Sequence, residues 1–323
     1  MPTGLWRNKP LNQPLKPEQR PLPLKYVFPS GRSALSLALA EAGLSRANRV
    51  GFPEWSSHCL ISAMGRYVTP VPFKEVVENR IKVDGVLIYE QWGWPFPAAT
   101  WASLLKNYND KIIIVDKVDS ADFYLRRNSV YRFKSLIEIT SLSKMLGLSG
   151  GGLAINGAKY LTFKPKLKSG LTKMLAAENK ANILKNDFGY REHFQNSEQA
   201  LEPNVRNWIM HNDLLAAMEQ ERELRRDNLR ILSQGPAKSA WPQWMYQALD
   251  RGAGPGIAPL FRGEKEGNLR RVAARLAGDF KIQTALYHFN WSGNPLKPVY
   301  EKCLAFPVHG MVKGLKSVLR SLS

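Results

Sequence analysis

Short apolar runs alternate with longer stretches of helical spacing through the first half of the chain. The pattern predicts a helix over Ser33 to Gly43, a strand around Val50 to Phe52, a helix near Cys59 to Tyr67 and a strand over Gly85 to Tyr89. A helix near Ala98 to Tyr108 follows, then strands over Lys111 to Val115, Leu136 to Thr140 and Leu153 to Asn156. Strands this apolar, separated by helices, imply a mostly parallel sheet covered on both faces. Ligands of such sheets bind beyond the carboxyl ends of the strands. The loops that matter therefore start near Pro29, Pro53, Glu90, Asp116 and Ser141.

The rest of the chain has a different texture. Residues 1–25 mix proline with lysine and arginine and read as an extended arm. After Asn156 the strand pattern stops, and Lys159 to Lys185 is basic and helix-prone, with Leu161, Phe163, Leu167 and Leu171 among its lysines. A long helix is expected from about Asn212 to Leu232. Beyond it come a Gly/Pro-rich loop over Gly252 to Pro259, a helix near Asn268 to Leu276, a strand-like Ile282 to Phe289 and a terminal helix near Met311 to Leu322. The expected organisation is an arm (1–25), a large α/β domain (26–185), and a helical connection leading to a smaller C-terminal α/β domain (186–323).

With 323 residues, 44% of them hydrophobic, the chain can bury a sizeable core. No apolar run approaches the roughly 18 residues of a membrane span, and the polar, proline-rich start is unlike a secretion signal. A cytoplasmic location is the resulting expectation. Cys59 and Cys303 stand far apart with no metal-ligand spacing, so neither a disulfide framework nor a metal site is expected. The 46 Lys and Arg against 27 Asp and Glu leave a net charge of +19, which favours anionic partners without choosing among phosphorylated cofactors, nucleotide-linked substrates, nucleic acid and anionic membrane. A basic helix over 159–185 would suit the last two, though a helix packed by one face on its domain is the simpler reading.

Ser141-Leu142-Ser143-Lys144, followed by Gly147 and Gly150-Gly151-Gly152, lies between two expected strands. A lysine there, flanked by small hydroxyls and glycines, can bring its amine to an aldehyde as a Schiff base while backbone groups approach a phosphate closely. Asp116 ends the run Ile112-Ile113-Ile114-Val115, which places a carboxylate at the edge of the sheet, where it can keep a pyridine nitrogen protonated. Pro29-Ser30-Gly31-Arg32-Ser33 opens the first helix, and Gly31, Arg32 and Ser33 could seat a phosphate; ordinary capping explains the same residues. Trp55 or His58, after the first strand, could stack on a flat ring.

Together these segments resemble the fold-type-I pyridoxal-phosphate enzymes, and most closely the DegT/StrS sugar aminotransferases. Ser30 to Leu35 looks like that family's Ser-Gly-Thr-x-Ala-Leu turn, Gly51 to Ser56 like its Val-Pro-x-Tyr-Thr segment, and Val115-Asp116 like its Glu-Asp pair. Ser141 to Gly152 is similar to its lysine segment, and Cys303 to Met311 to its terminal Leu-Pro-Leu-His-x-x-Met. The resemblance implies pyridoxal 5'-phosphate as cofactor, Lys144 and Asp116 as catalytic residues, and Gly31, Arg32, Ser33, Trp55, His58, Asp119, Ser141, Ser143 and Asn204 around the cofactor. It further implies a homodimer that moves an amino group from a donor to a keto sugar carried on a nucleotide. The chain departs from the pattern in three places. Asp119 stands where the sugar aminotransferases have Gln, Gly152 where aspartate-aminotransferase relatives have a phosphate-binding Arg, and Asn204-Val205-Arg206 matches an Asn-Tyr-Arg element only loosely. Another pyridoxal-phosphate reaction on an amino acid, and a non-catalytic member of the fold that binds anions, remain the alternatives.

Overall fold

The computed structural model describes residues 3–122, 135–156, 159–161, 201–235 and 241–322. In chain order, β1 (Arg49–Phe52), β2 (Thr69–Pro72), β3 (Gly85–Tyr89), β4 (Ile112–Asp116), β5 (Ser135–Ser141), β6 (Gly152–Asn156) and β7 (Lys159–Tyr160) form one sheet in the order β2-β1-β3-β4-β5-β6-β7. The pairs from β2 to β5 are parallel, and β6 and β7 turn back antiparallel. The expected mostly parallel sheet is therefore present.

The alternation of side chains across β4 explains why its whole sequence is apolar. Ile112 and Ile114 enter a core with helices α1 (Gly31–Glu41) and α2 (His58–Gly65), through Leu35, Leu39 and Met64. Ile113 and Val115 enter the opposite core with α3 (Phe73–Glu78) and α4 (Ala98–Tyr108), through Phe73, Trp101 and Leu104. The pattern along the chain does not single out β2, Thr69-Pro70-Val71-Pro72; its two prolines are tolerated because it is an edge strand.

A second sheet holds β8 (Ile257–Leu260), β9 (Ala285–Asn290) and β10 (Tyr300–Pro307), antiparallel in the order β8-β10-β9. The segment expected as a Gly/Pro-rich loop ends in β8, because burial of Ile257, Ala258 and Leu260 against β10 outweighs its loop-like composition. α5 (Leu142–Leu146) follows β5 directly, and α6 (Pro203–His211) and α7 (Leu214–Leu232) precede the second sheet in the chain. Around the second sheet lie α8 (Gln243–Asp250), α9 (Glu266–Asp279) and α10 (Leu315–Leu322). Beyond Leu161, the basic stretch to Lys185 lies outside the described residues. Among the described residues no helix is long and apolar enough to cross a membrane.

Residues 3–15 are docked against distant parts of the chain at several points. Thr3 lies between Lys281 and Gln283, donating its N–H to the Lys281 carbonyl at 2.7 Å and accepting from the Gln283 N–H at 2.8 Å. Further on, Leu11 N–H donates to the Leu146 carbonyl and Leu15 N–H to that of His211. The indole N–H of Trp208 donates to Asn12. These bonds make the arm a strap from the second sheet to the helices behind the first.

Candidate active site

β1, β3, β4 and β5 end side by side, and the candidate residues lie at or just beyond their carboxyl ends. Asp116 closes β4 and is 3% exposed. One of its oxygens accepts the Val118 N–H at 3.0 Å. Burial raises its carboxyl from the usual 3.8 to about 7; the Val118 bond works the other way, nearby Asp119 and Glu90 add to the rise, and Lys144 opposes it. An acid in that state is ready to ionise when a cation is placed against it.

Lys144 lies on α5, the short helix that follows β5 directly. Its Nζ is 2.8 Å from Asp119 Oδ1. Partial withdrawal from water disfavours the ammonium, but Asp119, Asp116 and the thiol of Cys59 on α2 together outweigh it and hold the Lys144 pKa above the usual lysine value. Asp119 is itself oriented: the Tyr89 hydroxyl, at the end of β3, donates to its other oxygen and accepts the Trp92 N–H at 3.2 Å. Burial first, and Asp119 second, push the Tyr89 phenol well above its usual value, so it stays a donor. Replacing Asp119 by Asn should lower the Lys144 pKa and speed its reaction with an amine reagent at neutral pH. An unchanged pH profile would show that Asp119 does not hold the charge.

The glycine run has a backbone purpose. Gly152 exchanges two 2.8 Å hydrogen bonds with Phe28, and a Cβ on it would lie 2.3 Å from the Ser30 carbonyl oxygen. The position has no room for any side chain, arginine included. This approach lays the start of α1 against the lysine segment: a Cβ on Gly31 would be 3.2 Å from Val118 and 3.3 Å from the Ser141 Cβ. Ser30 caps the helix by accepting the Ser33 N–H, Ser30 and Ser33 hydroxyls are 3.0 Å apart, and those of Ser141 and Ser143 are 2.9 Å apart. A helix start whose first N–H groups have no intrahelical acceptor, among hydroxyls, suits a phosphate.

The structure thus brings Lys144, Asp116 and Asp119 together and places Gly31 beside Ser141. The other ring candidates are engaged differently. Trp55 stacks on His288 of β9 at 4.3 Å and is 52% exposed, and His58 opens α2 on the surface. Asn204 accepts the Ser149 hydroxyl at 2.8 Å, tying α6 to the turn after Lys144 within the same chain.

A buried network that sequence reasoning missed lies beneath the lysine. Arg225 of α7, fully buried, donates to the carbonyls of Asp119 at 2.9 Å and Lys144 at 3.2 Å. Glu221 receives Arg225 on one oxygen and Arg7 of the strap on the other, each at 3.0 Å. The i,i+4 spacing of Glu221 and Arg225 was a visible signal, but it matches that of exposed pairs such as Glu266 and Arg270.

A family model described as "Putative PLP-dependent aminotransferase" matches residues 15–207, more than half of the chain. Among solved structures, a DegT/DnrJ/EryC1/StrS aminotransferase from Brucella abortus has a TM-score of 0.54 at 16% identity, covering 92% of this chain and 85% of its own. A serine palmitoyltransferase from S. paucimobilis scores 0.52 at 12%, covering 92% and 69%. NtdA from Bacillus subtilis, crystallised with the cofactor PMP, scores 0.51 at 14%, covering 91% and 73%. At these identities the structures show a shared fold. No curated protein matches the chain by sequence.

Proposed function

This chain belongs to a family of PLP-dependent aminotransferases and is an enzyme of that class, and we propose that Lys144 and Asp116 are its catalytic residues. The observation that carries this reading is the meeting of a half-exposed amine with two buried carboxylates at the carboxyl ends of neighbouring strands. The residues suit the cofactor: Asp116 for the ring nitrogen, Asp119 for the ring's polar edge, and Gly31, Arg32, Ser33, Ser141 and Ser143 for the phosphate. When bound, PLP supplies an aldehyde that condenses with amines and a protonated ring that takes up electrons from a neighbouring carbon.

The protein's own groups do the rest. Lys144 would hold the cofactor through Nζ and, as a free amine, would take and return a proton there. The pH at which it can do so is governed by Asp119, which in turn is held by Tyr89. Asp116, ionised against a ring cation, keeps the ring nitrogen protonated. Gly31 and the hydroxyls around it fix the phosphate and hence the ring.

We further propose that the acceptor is a keto sugar carried on a nucleotide, that the working unit is a homodimer, and that it acts in the cytoplasm. Support comes from the likeness of five segments to the DegT/StrS pattern and from the net charge of +19, which draws a diphosphate. The test is the absorption spectrum between about 320 and 450 nm after addition of PLP, for wild type and Lys144→Ala. A band present only in the wild type supports Lys144; an identical band in Lys144→Ala, with turnover retained, removes it.

A further inference from the structure

Near its start the arm brings an aromatic ring to the lysine. The ring of Trp6 lies 4.9 Å from Lys144 Nζ. It also faces Gly256, where a Cβ would be 2.7 Å from the indole and 3.0 Å from the Asp119 carbonyl oxygen. Trp6 therefore fills the space between the entry to β8, the Asp119 backbone and the Lys144 amine. We propose that Trp6 is a positioning residue of this site: the strap holds its indole over Lys144 and thereby helps to set how readily that amine gives up its proton. The proposal rests on the reading of Lys144 as the reactive amine.

Three anchors keep the ring in place. On its N-terminal side, Thr3 is bonded to Lys281 and Gln283, and the Gly4 carbonyl lies 3.0 Å from His309 Nε2. On its C-terminal side, Arg7 is locked to Glu221, and Glu221 to the Arg225 that grips the carbonyls of Lys144 and Asp119. Strap and lysine are thus fastened to one buried framework as well as to each other. His309 is 1% exposed, and its Nδ1 accepts the Met311 N–H, which leaves the proton on Nε2 for Gly4. Burial holds its pKa at about 4, so the anchor stays neutral through the range where Lys144 reacts.

An indole face favours an ammonium over a neutral amine, by about 0.5–1 kcal/mol at a partly exposed site, which is about two- to fivefold in the equilibrium. The other groups acting on Lys144 are Asp119 and Asp116 from the end of β4, Cys59 from α2, and Arg225 from α7, bound at its carbonyl. A plug that merely filled space would act with the opposite sign: removing it would admit water, favour the ammonium and slow labelling.

That difference supplies the test. In the full-length chain without PLP, labelling of Lys144 by an amine-reactive acylating reagent is followed by mass spectrometry between about pH 7 and 12, each protein normalised to its own high-pH plateau. Trp6→Leu leaves a smaller apolar side chain without a π face, and Trp6→Phe, also smaller than Trp, keeps a face. We expect Trp6→Leu to label about two- to fivefold faster than wild type below the plateau, with Trp6→Phe close to wild type. Superimposed profiles for Trp6→Leu and wild type, or equal shifts in both variants, would overturn the proposal. Because no PLP is used, this outcome is separate from the spectral test of Lys144 as the cofactor's attachment point.

Discussion

Replacing Asp116 by Asn should make the PLP-free protein more stable above pH 7 while stripping it of activity. An isolated aspartate ionises near 3.8, whereas folding raises Asp116 to about 7. The folded state therefore holds a proton that the unfolded chain has lost, so stability falls as pH rises from about 4 to about 7 and then levels off. At 1.36 kcal/mol per pH unit the loss above pH 7 is about 4 kcal/mol, and Asn, which cannot ionise, is spared it. Denaturation of both proteins at several pH values should show curves that coincide near pH 4 and separate towards pH 8. Addition of PLP should reverse the order, because a ring cation beside Asp116 turns the buried charge into a pair that only the wild type can form. Turnover in the variant should fall at least about a hundredfold, the scale expected when the ring loses its proton. Parallel curves at every pH would place the ionisation of Asp116 outside the fold's energetics.

Arg225→Ala should be the most damaging change away from the cofactor. It leaves Glu221 with Arg7 as its partner and removes the donors from the Lys144 and Asp119 carbonyls. Breaking a buried pair from one side costs about 3–5 kcal/mol. The distinctive outcome is a joint one: a lower melting temperature together with weaker capture of PLP by Lys144, seen in the absorption spectrum at a temperature where the variant is still folded. A destabilised variant with wild-type capture would mean that Arg225 serves the core alone.

The contrast between Asp116 and Arg225 shows what the order of residues reveals and what it conceals. Asp116 closes one apolar strand, Asp119 follows it and Lys144 follows the next, and a parallel sheet aligns such strand ends whatever else surrounds them. Their nearness follows from β4 and β5 being neighbours, whereas the apolar texture of the sequence indicates a mostly parallel sheet without its strand order. Arg225 contacts residues 106 and 81 positions away, and nothing in a helix rich in Glu and Arg distinguishes the fully buried arginine from partly buried Arg222 and Arg226 or exposed Arg230. Tyr89 was nearer to hand, since it ends a strand one residue before a loop already singled out. Trp6 was hidden in an arm whose prolines and lysines suggest solvent, and only its docking against residues from the other end of the chain gives the ring a place. β2 and β8 were obscured by Pro and Gly, whose usual meaning is overruled by an edge position in one case and by burial in the other.

The strap also imposes an order in time. Gly4 waits for His309, and Thr3 for Lys281 and Gln283, so a segment that leaves the ribosome early has no seat until nearly the whole chain has followed. At about 5–20 residues per second that interval is roughly 15–60 s, long enough for the first sheet to assemble on its own. During synthesis the lysine therefore stands without its indole cover, and the amine acquires its final surroundings last.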